Sequence, residues 1–308
     1  LIMKTTLLII GLFGLFLSSL ANSDEEIKNC DVCSATTNAN SLNVLLNNKS
    51  YIGLNYLFQN YKTYNGIFNN SKTFNEKYNT IQIAGRINMK EKWLIDVSIP
   101  LHFHNRILSD KTINQSTDGI GDLNIQSSYQ LLSSDSISKS LWKWYLGGGL
   151  KIPFAEYENQ DMQNGNPNFN LGSGAWDFYL SSRFQLNLKN SGINVQLGYA
   201  LKTENKDEFK FGNQTDVGFT YFRSVLNEKK INPTLLVGIK SEFYDYNEQF
   251  GYKIKESNGY LHQIQFGSQV QIQKFNVGFS AFIPVKQDLM NQRIKAKFRN
   301  LIYIRYSI

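Results

Sequence analysis

Residues Gly119–Leu131 read GIGDLNIQSSYQL, and they sort into two chemical sets by position. Gly121, Leu123, Ile125, Tyr129 and Leu131 share one face, while Asp122, Asn124, Gln126, Ser128 and Gln130 share the other. Successive side chains of an extended chain point to opposite sides, so this alternation predicts a β-strand with one apolar and one polar surface. The pattern runs to roughly twice the length of an ordinary soluble strand. A strand that long and apolar on one side only suits a bilayer. The stretch therefore predicts an all-β protein, a transmembrane antiparallel up-and-down β-barrel with apolar side chains outward and polar ones lining the lumen.

Composition agrees. Hydrophobic residues make up 42% of the 308-residue chain, yet the mean hydropathy of −0.34 is too low for a helical membrane protein. A barrel reconciles the two, because only alternate residues meet lipid. The 17 Tyr and 21 Phe supply the rings that crowd membrane interfaces. The net charge of +7 is scattered, with no compact Lys/Arg cluster interleaved with aromatics. That argues against a nucleic-acid partner and for attraction to anionic outer-membrane lipid and lipopolysaccharide.

Residues 1–23 have the form of a signal peptide, with Lys4 before the apolar run Thr6–Leu17 and small residues at Ala21-Asn22-Ser23. This implies export through the inner membrane, and the barrel pattern then places the protein in the bacterial outer membrane. Residues 24–48 read as a flexible periplasmic segment carrying Cys30 and Cys33, the only cysteines. A local disulfide or a free pair is the expected reading. Metal capture lacks further ligands at the required spacing, and a redox pair lacks its βαβ context.

Residues 49–308 form the barrel. Strands are predicted at Tyr51–Gln59, Thr80–Asn88, Trp93–His104, Gly119–Leu131, Trp142–Phe154, Trp176–Leu188, Ile193–Leu201, Phe209–Phe222, Thr234–Phe243, Tyr260–Gln271, Phe275–Val285 and Phe298–Ile308. That is about twelve, an even number as single-chain bacterial barrels have. Connections alternate in length. Short ones fall around Lys90 and at Ser133–Ser140, Lys189–Gly192, Asn227–Asn232 and Gln273-Lys274. Longer ones, rich in Asn, Asp, Glu and Gly, fall at Lys62–Tyr78, Asn105–Asp118, Glu156–Gly172, Thr203–Glu208, Tyr246–Asn258 and Lys286–Lys295. Outer loops and periplasmic turns produce this alternation, and the phase places both termini in the periplasm. The C-terminal strand alternates Ile302, Ile304, Tyr306 and Ile308, as a signal to the outer-membrane assembly machinery would.

Three Ile-Pro pairs, Ile99-Pro100, Ile152-Pro153 and Ile283-Pro284, fall inside or at the end of predicted strands. A closed barrel has no free edge for a residue lacking an N–H, so each predicts a bulge or an end of pairing.

GIGDL at Gly119–Leu123, Gly149-Leu150-Lys151-Ile152-Pro153, and Leu171-Gly172-Ser173-Gly174-Ala175-Trp176-Asp177 resemble the motifs of the outer-membrane transporter barrels known as the meta-pathway phenol-degradation family. The likeness extends from about Tyr51 to the end, although Phe154-Ala155 stands where family members usually carry Thr-Gly. The resemblance implies an outer-membrane channel for small solutes, including small organic or aromatic compounds.

The lumen row is expected to carry Arg86, Asp96, Asp122, Lys151, Asp177, Arg183, Asp216, Arg223, Arg299 and Arg305. Such charges either set the selectivity of a channel or pair across a narrow lumen as polar filling. No cofactor, metal site or catalytic residue is expected. Asp118–Asn124 lacks the spacing and closing Glu of a calcium loop. The alternative functions are a structural or adhesive barrel with a closed lumen, and a lipid-modifying enzyme built on a lipid-facing Ser–His pair. His102 and His104 point inward, whereas His262 shares the outward face of Ile264 and Phe266, flanked two residues away by no serine.

Overall fold

In the computed structural model, residues 49–64, 72–90, 92–134, 141–157, 169–225 and 231–308 are described. The expected signal peptide and the Cys30/Cys33 pair lie outside them. The strands in chain order are β1 (Tyr51–Tyr64), β2 (Thr73–Met89), β3 (Trp93–Leu108), β4 (Asn114–Ile120), β5 (Leu123–Ser133), β6 (Leu141–Ile152), β7 (Asp177–Asn187) and β8 (Ser191–Lys202). They continue with β9 (Phe209–Lys210), β10 (Gln214–Ser224), β11 (Ile231–Tyr244), β12 (Glu248–Gln249), β13 (Tyr252–Lys253), β14 (Gly259–Ile272), β15 (Phe275–Leu289) and β16 (Ile294–Ser307).

Thirteen strands pair antiparallel in one sheet that closes on itself, β1 lying between β2 and β16. Since β4 and β5 are two halves of one staff, both pairing with β3, the barrel has twelve staves. The outward faces are apolar, with Ile52, Leu54, Ile83, Val97, Leu180, Leu235, Val237, Phe266 and Ile304 among the exposed residues. Aromatic pairs mark two levels of this surface. Trp93–Tyr129 (centroids 4.8 Å apart) and Phe275–Tyr306 (5.1 Å) lie near the end bearing the short turns, and Phe58–Phe298 (5.4 Å) lies nearer the loops.

Several strands outrun their predicted limits. β1–β3 extend to Tyr64, from Thr73 and to Leu108, so the first two loops are much shorter than expected. Here the outward positions, among them Lys62, Asn75, Lys77 and Asn105, turn polar while pairing continues. An alternation test based on hydrophobicity stops where the lipid stops, not where the strand does. Likewise β15 reaches Leu289, and the Phe209–Phe222 segment divides into β9 and β10.

The prolines of all three Ile-Pro pairs sit at or opposite breaks in pairing. Pro100 lies opposite the β4/β5 interruption, where the carbonyl of Pro100 accepts from the Gly121 N–H at 2.8 Å. β6 ends at Ile152, immediately before Pro153. Beside Pro284 the β14–β15 register shifts, and β15 leaves β16 after Phe282 until Leu289.

Candidate functional site: the barrel lumen and its inward loop

The three glycine-containing motifs are far apart in sequence and meet at the loop end of the lumen. Asp122 lies in the break between β4 and β5, Lys151 is the penultimate residue of β6, Asp177 opens β7 and Lys202 closes β8. Lys151 Nζ lies 3.0 Å from Asp122 Oδ2 and 2.9 Å from Asp177 Oδ2, and Lys202 Nζ lies 2.6 Å from Asp177 Oδ2. None of these side chains is more than 4% exposed, which puts the whole cluster out of reach of bulk solvent. Two carboxylates face two ammonium groups, so the cluster is neutral.

This cluster tethers the segment between β6 and β7. Asp122 accepts the backbone N–H groups of Ala155 and Ser173, each at 3.2 Å. Lys151 also donates to Ser173 Oγ, and Asn205 Nδ2 donates to the Ser173 carbonyl at 3.1 Å. Two glycines permit the approach. A Cβ on Gly172 would fall 2.4 Å from Asp122 Oδ1, and one on Gly121 would fall 2.3 Å from His102 Nε2. The segment then brings Phe169 to Tyr78 on β2 (centroids 6.2 Å), with the Arg106 guanidinium 4.5 Å from its ring. Phe169 joins Tyr61, Tyr78, Leu261, Leu289, Met290 and Ile294 in a buried apolar cluster inside the barrel mouth. The long loop predicted at Glu156–Gly172 therefore turns into the barrel mouth at its described end. Above the mouth, β9, β12 and β13 form a small sheet over Tyr157, Phe209 and Phe211.

A second neutral cluster faces the first. Arg299 Nη1 reaches Glu242 Oε1 at 2.7 Å, and Lys240 Nζ lies 2.8 Å from Glu242 Oε1 and 3.8 Å from Asp216 Oδ1. The Tyr244 hydroxyl donates to Glu242 at 2.7 Å.

Nearer the turn end, Arg86 and Asp96 form a two-pronged pair at 2.7 and 2.8 Å. Arg305 stacks between Tyr51 (5.0 Å) and Tyr303 (4.3 Å), and Arg183 is buried beside Tyr145. His102 and His104 are inward and buried as expected, their rings 4.7 Å apart.

Nine of the ten expected lumen residues therefore sit on inward faces. Arg223 does not. It is exposed and shares parity with the outward Phe219 and Tyr221, while its neighbour Phe222 is the buried residue. Sequence reading also passed over Lys202, Lys240 and Glu242, whose parity marks them as inward, and Ser173, which no periodicity reveals.

His262 faces outward and finds a serine after all. Ser241 lies directly opposite on β11, and its Oγ is 2.8 Å from His262 Nδ1. The missed signal is cross-strand pairing rather than spacing along one strand. The residue opposite on β15 is the cation Lys286, where a catalytic triad needs a group that orients an imidazolium.

The sequence profile of the family described as "Putative MetA-pathway of phenol degradation" matches residues 56–288. No curated protein matches the chain in sequence. Among solved structures, the COG4313 outer membrane channel from Pseudomonas putida F1 aligns with a TM-score of 0.64 and 13% identity, covering 86% of this chain and 97% of its own. The β domain of the Bordetella autotransporter BrkA gives a TM-score of 0.47 at 11% identity, covering 84% and 100%. The translocator domain of autotransporter NalP from Neisseria meningitidis gives 0.46 at 9%, covering 88% and 92%. The barrel is that of outer-membrane proteins, and with the profile spanning most of its length the chain belongs to the phenol-degradation family of outer-membrane barrels.

Proposed function

We propose that the protein is an outer-membrane channel for small solutes, with the short turns and both ends of the barrel chain on the periplasmic side. The observation that carries this reading is the lumen's chemistry. From Asn55 and Gln82 through Ser98, Asn124, Gln185, Asn194 and Gln265, the buried inward positions are predominantly polar. A barrel serving only as an anchor gains nothing from burying so many amides and hydroxyls, each of which must find a partner. The segment hung from Asp122 and Lys151 acts as the constriction, and small organic molecules, aromatic compounds included, are the solutes its ring-lined mouth suits.

Planar-bilayer recording of the refolded full chain tests this. Discrete single-channel steps are expected. Their absence at every salt concentration and voltage would favour the alternative of a structural barrel with a closed lumen. The Ser241–His262 contact is read as an interfacial hydrogen bond, and phospholipid incubated with the protein is expected to stay intact.

A further inference from the structure

The lumen's charges balance at the loop end and do not balance at the turn end. Around Asp122 and around Glu242, carboxylates and cations are equal in number. Near the turn ends of their strands, Arg86, Arg183 and Arg305 face the lumen with Asp96 as the one carboxylate among the described inward residues there. Asp96 is already committed to Arg86 through both oxygens. Lys143 shares the inward parity of Tyr145 and adds a further cation towards the rim.

Arg183 is the telling residue. It is 7% exposed, and its Nε and Nη1 have no hydrogen-bond partner among the described residues; Arg86 Nη1 is in the same state. Buried polar groups are almost always partnered, and a guanidinium presents a fork of donors matched to a carboxylate. The surroundings are half apolar. Tyr51 and Tyr145 are buried beside the arginines, and Phe222 packs on Leu236 towards the turn end of β10 and β11.

We propose that this part of the lumen is a recognition site for a small organic carboxylate with an apolar body. Arg183 and the free edge of Arg86 grip the anion, Arg305 adds attraction behind them, and the tyrosines flank the apolar part. The proposal rests on the channel reading and names its substrate class. A bound anion would bring the turn-end charge towards the balance already present at the loop end.

Titration calorimetry of the refolded full chain in detergent micelles tests the site without requiring conduction. Benzoate is the probe, with benzyl alcohol as its uncharged counterpart and acetate as the anion without an apolar body. Benzoate is expected to bind, and benzyl alcohol and acetate to bind at least tenfold more weakly. Arg183→Met should weaken benzoate at least tenfold, roughly what loss of a charged hydrogen bond implies. Asp96→Asn, which frees Arg86, should tighten it, and this second variant keeps the test sound if the first folds poorly. Equal binding of benzoate and benzyl alcohol, acetate binding as tightly as benzoate, or an unchanged affinity in both variants would overturn the proposal. Benzoate binding by a protein with no single-channel steps would instead sink the channel reading and leave the site standing.

Discussion

Replacing Lys151 with Met should both destabilise the barrel and open its lumen. The ammonium is fully buried and serves Asp122, Asp177 and Ser173 at once. Its removal affects the two carboxylates unequally. Asp177 keeps Lys202 at 2.6 Å, whereas Asp122 keeps only the N–H groups of Ala155 and Ser173, both at 3.2 Å. One buried carboxylate is thus left without a countercharge, a change that costs about 3–5 kcal/mol in proteins. The two remaining N–H donors place Lys151→Met at the lower end, about 3 kcal/mol. In the double variant Asp122→Asn/Lys151→Met both charges vanish together, and more than half of that loss should return. Urea unfolding from lipid vesicles measures both effects. The same variants should enlarge single-channel conductance, because the segment carrying Phe169 loses its anchor. A single variant costing under ~1 kcal/mol, or a double variant no more stable than the single, would refute the idea that this cluster is a coupled tether.

Three further outcomes follow from the same geometry. Gly172→Ala should mimic loss of the tether, since its methyl would lie 2.4 Å from Asp122 Oδ1 and 2.7 Å from the Ala155 Cβ. It should cost about 1–3 kcal/mol and raise conductance while leaving every charge in place. Arg299→Met leaves Glu242 with the Tyr244 hydroxyl at 2.7 Å and, as its one cation, Lys240 at 2.8 Å, which Asp216 shares. A loss of about 3 kcal/mol in urea unfolding is expected, little affected by salt because the pair is buried. Arg223→Ala should leave the reversal potential in a salt gradient unchanged, since the side chain is outside the lumen, whereas Arg183→Met should shift it towards cation preference.

Alternation carried the fold because lipid demands an apolar residue at every second position, and nothing else in the chain imposes that period. It also fixed the lumen side of Asp96, Lys151 and Arg305, each between apolar outward neighbours, and of Arg86, beside the outward Ile87. Arg223 escaped it for a physical reason. Phe219, Tyr221 and Phe222 are all aromatic, and Phe222 is buried inside against Leu236, so both faces of β10 look apolar at that point. Lys202 lies one residue beyond the predicted end of its strand, although the parity of Asn194 and Ala200 points it inward. Partnership was out of reach of periodicity altogether. Which cation meets which carboxylate depends on the stagger of neighbouring strands, and that is set by the bulges at Gly121, His262 and Asn60. The Ser241–His262 contact belongs to this class.

The glycine motifs gain a mechanical meaning from the same geometry. Gly121 lies at the break in the fourth stave, where an added Cβ would strike the His102 ring and Pro100 Cγ at 2.7 Å. Pro100, which has no N–H to offer, faces that break and supplies its carbonyl to Gly121 instead. The interruption re-aims the chain so that Asp122 points into the lumen as the next residue resumes the alternation, its carboxylate free to collect two backbone N–H groups from a distant loop. Gly172 lets that loop come close enough to deliver them. A side chain at Gly121 would displace His102 and Pro100, and one at Gly172 would displace the Asp122 carboxylate and leave Lys151 to Asp177. The short motifs are therefore packing conditions for one ion cluster, not three separate sites. They account for an inward loop, and the arginines of the proposed anion site lie outside all three.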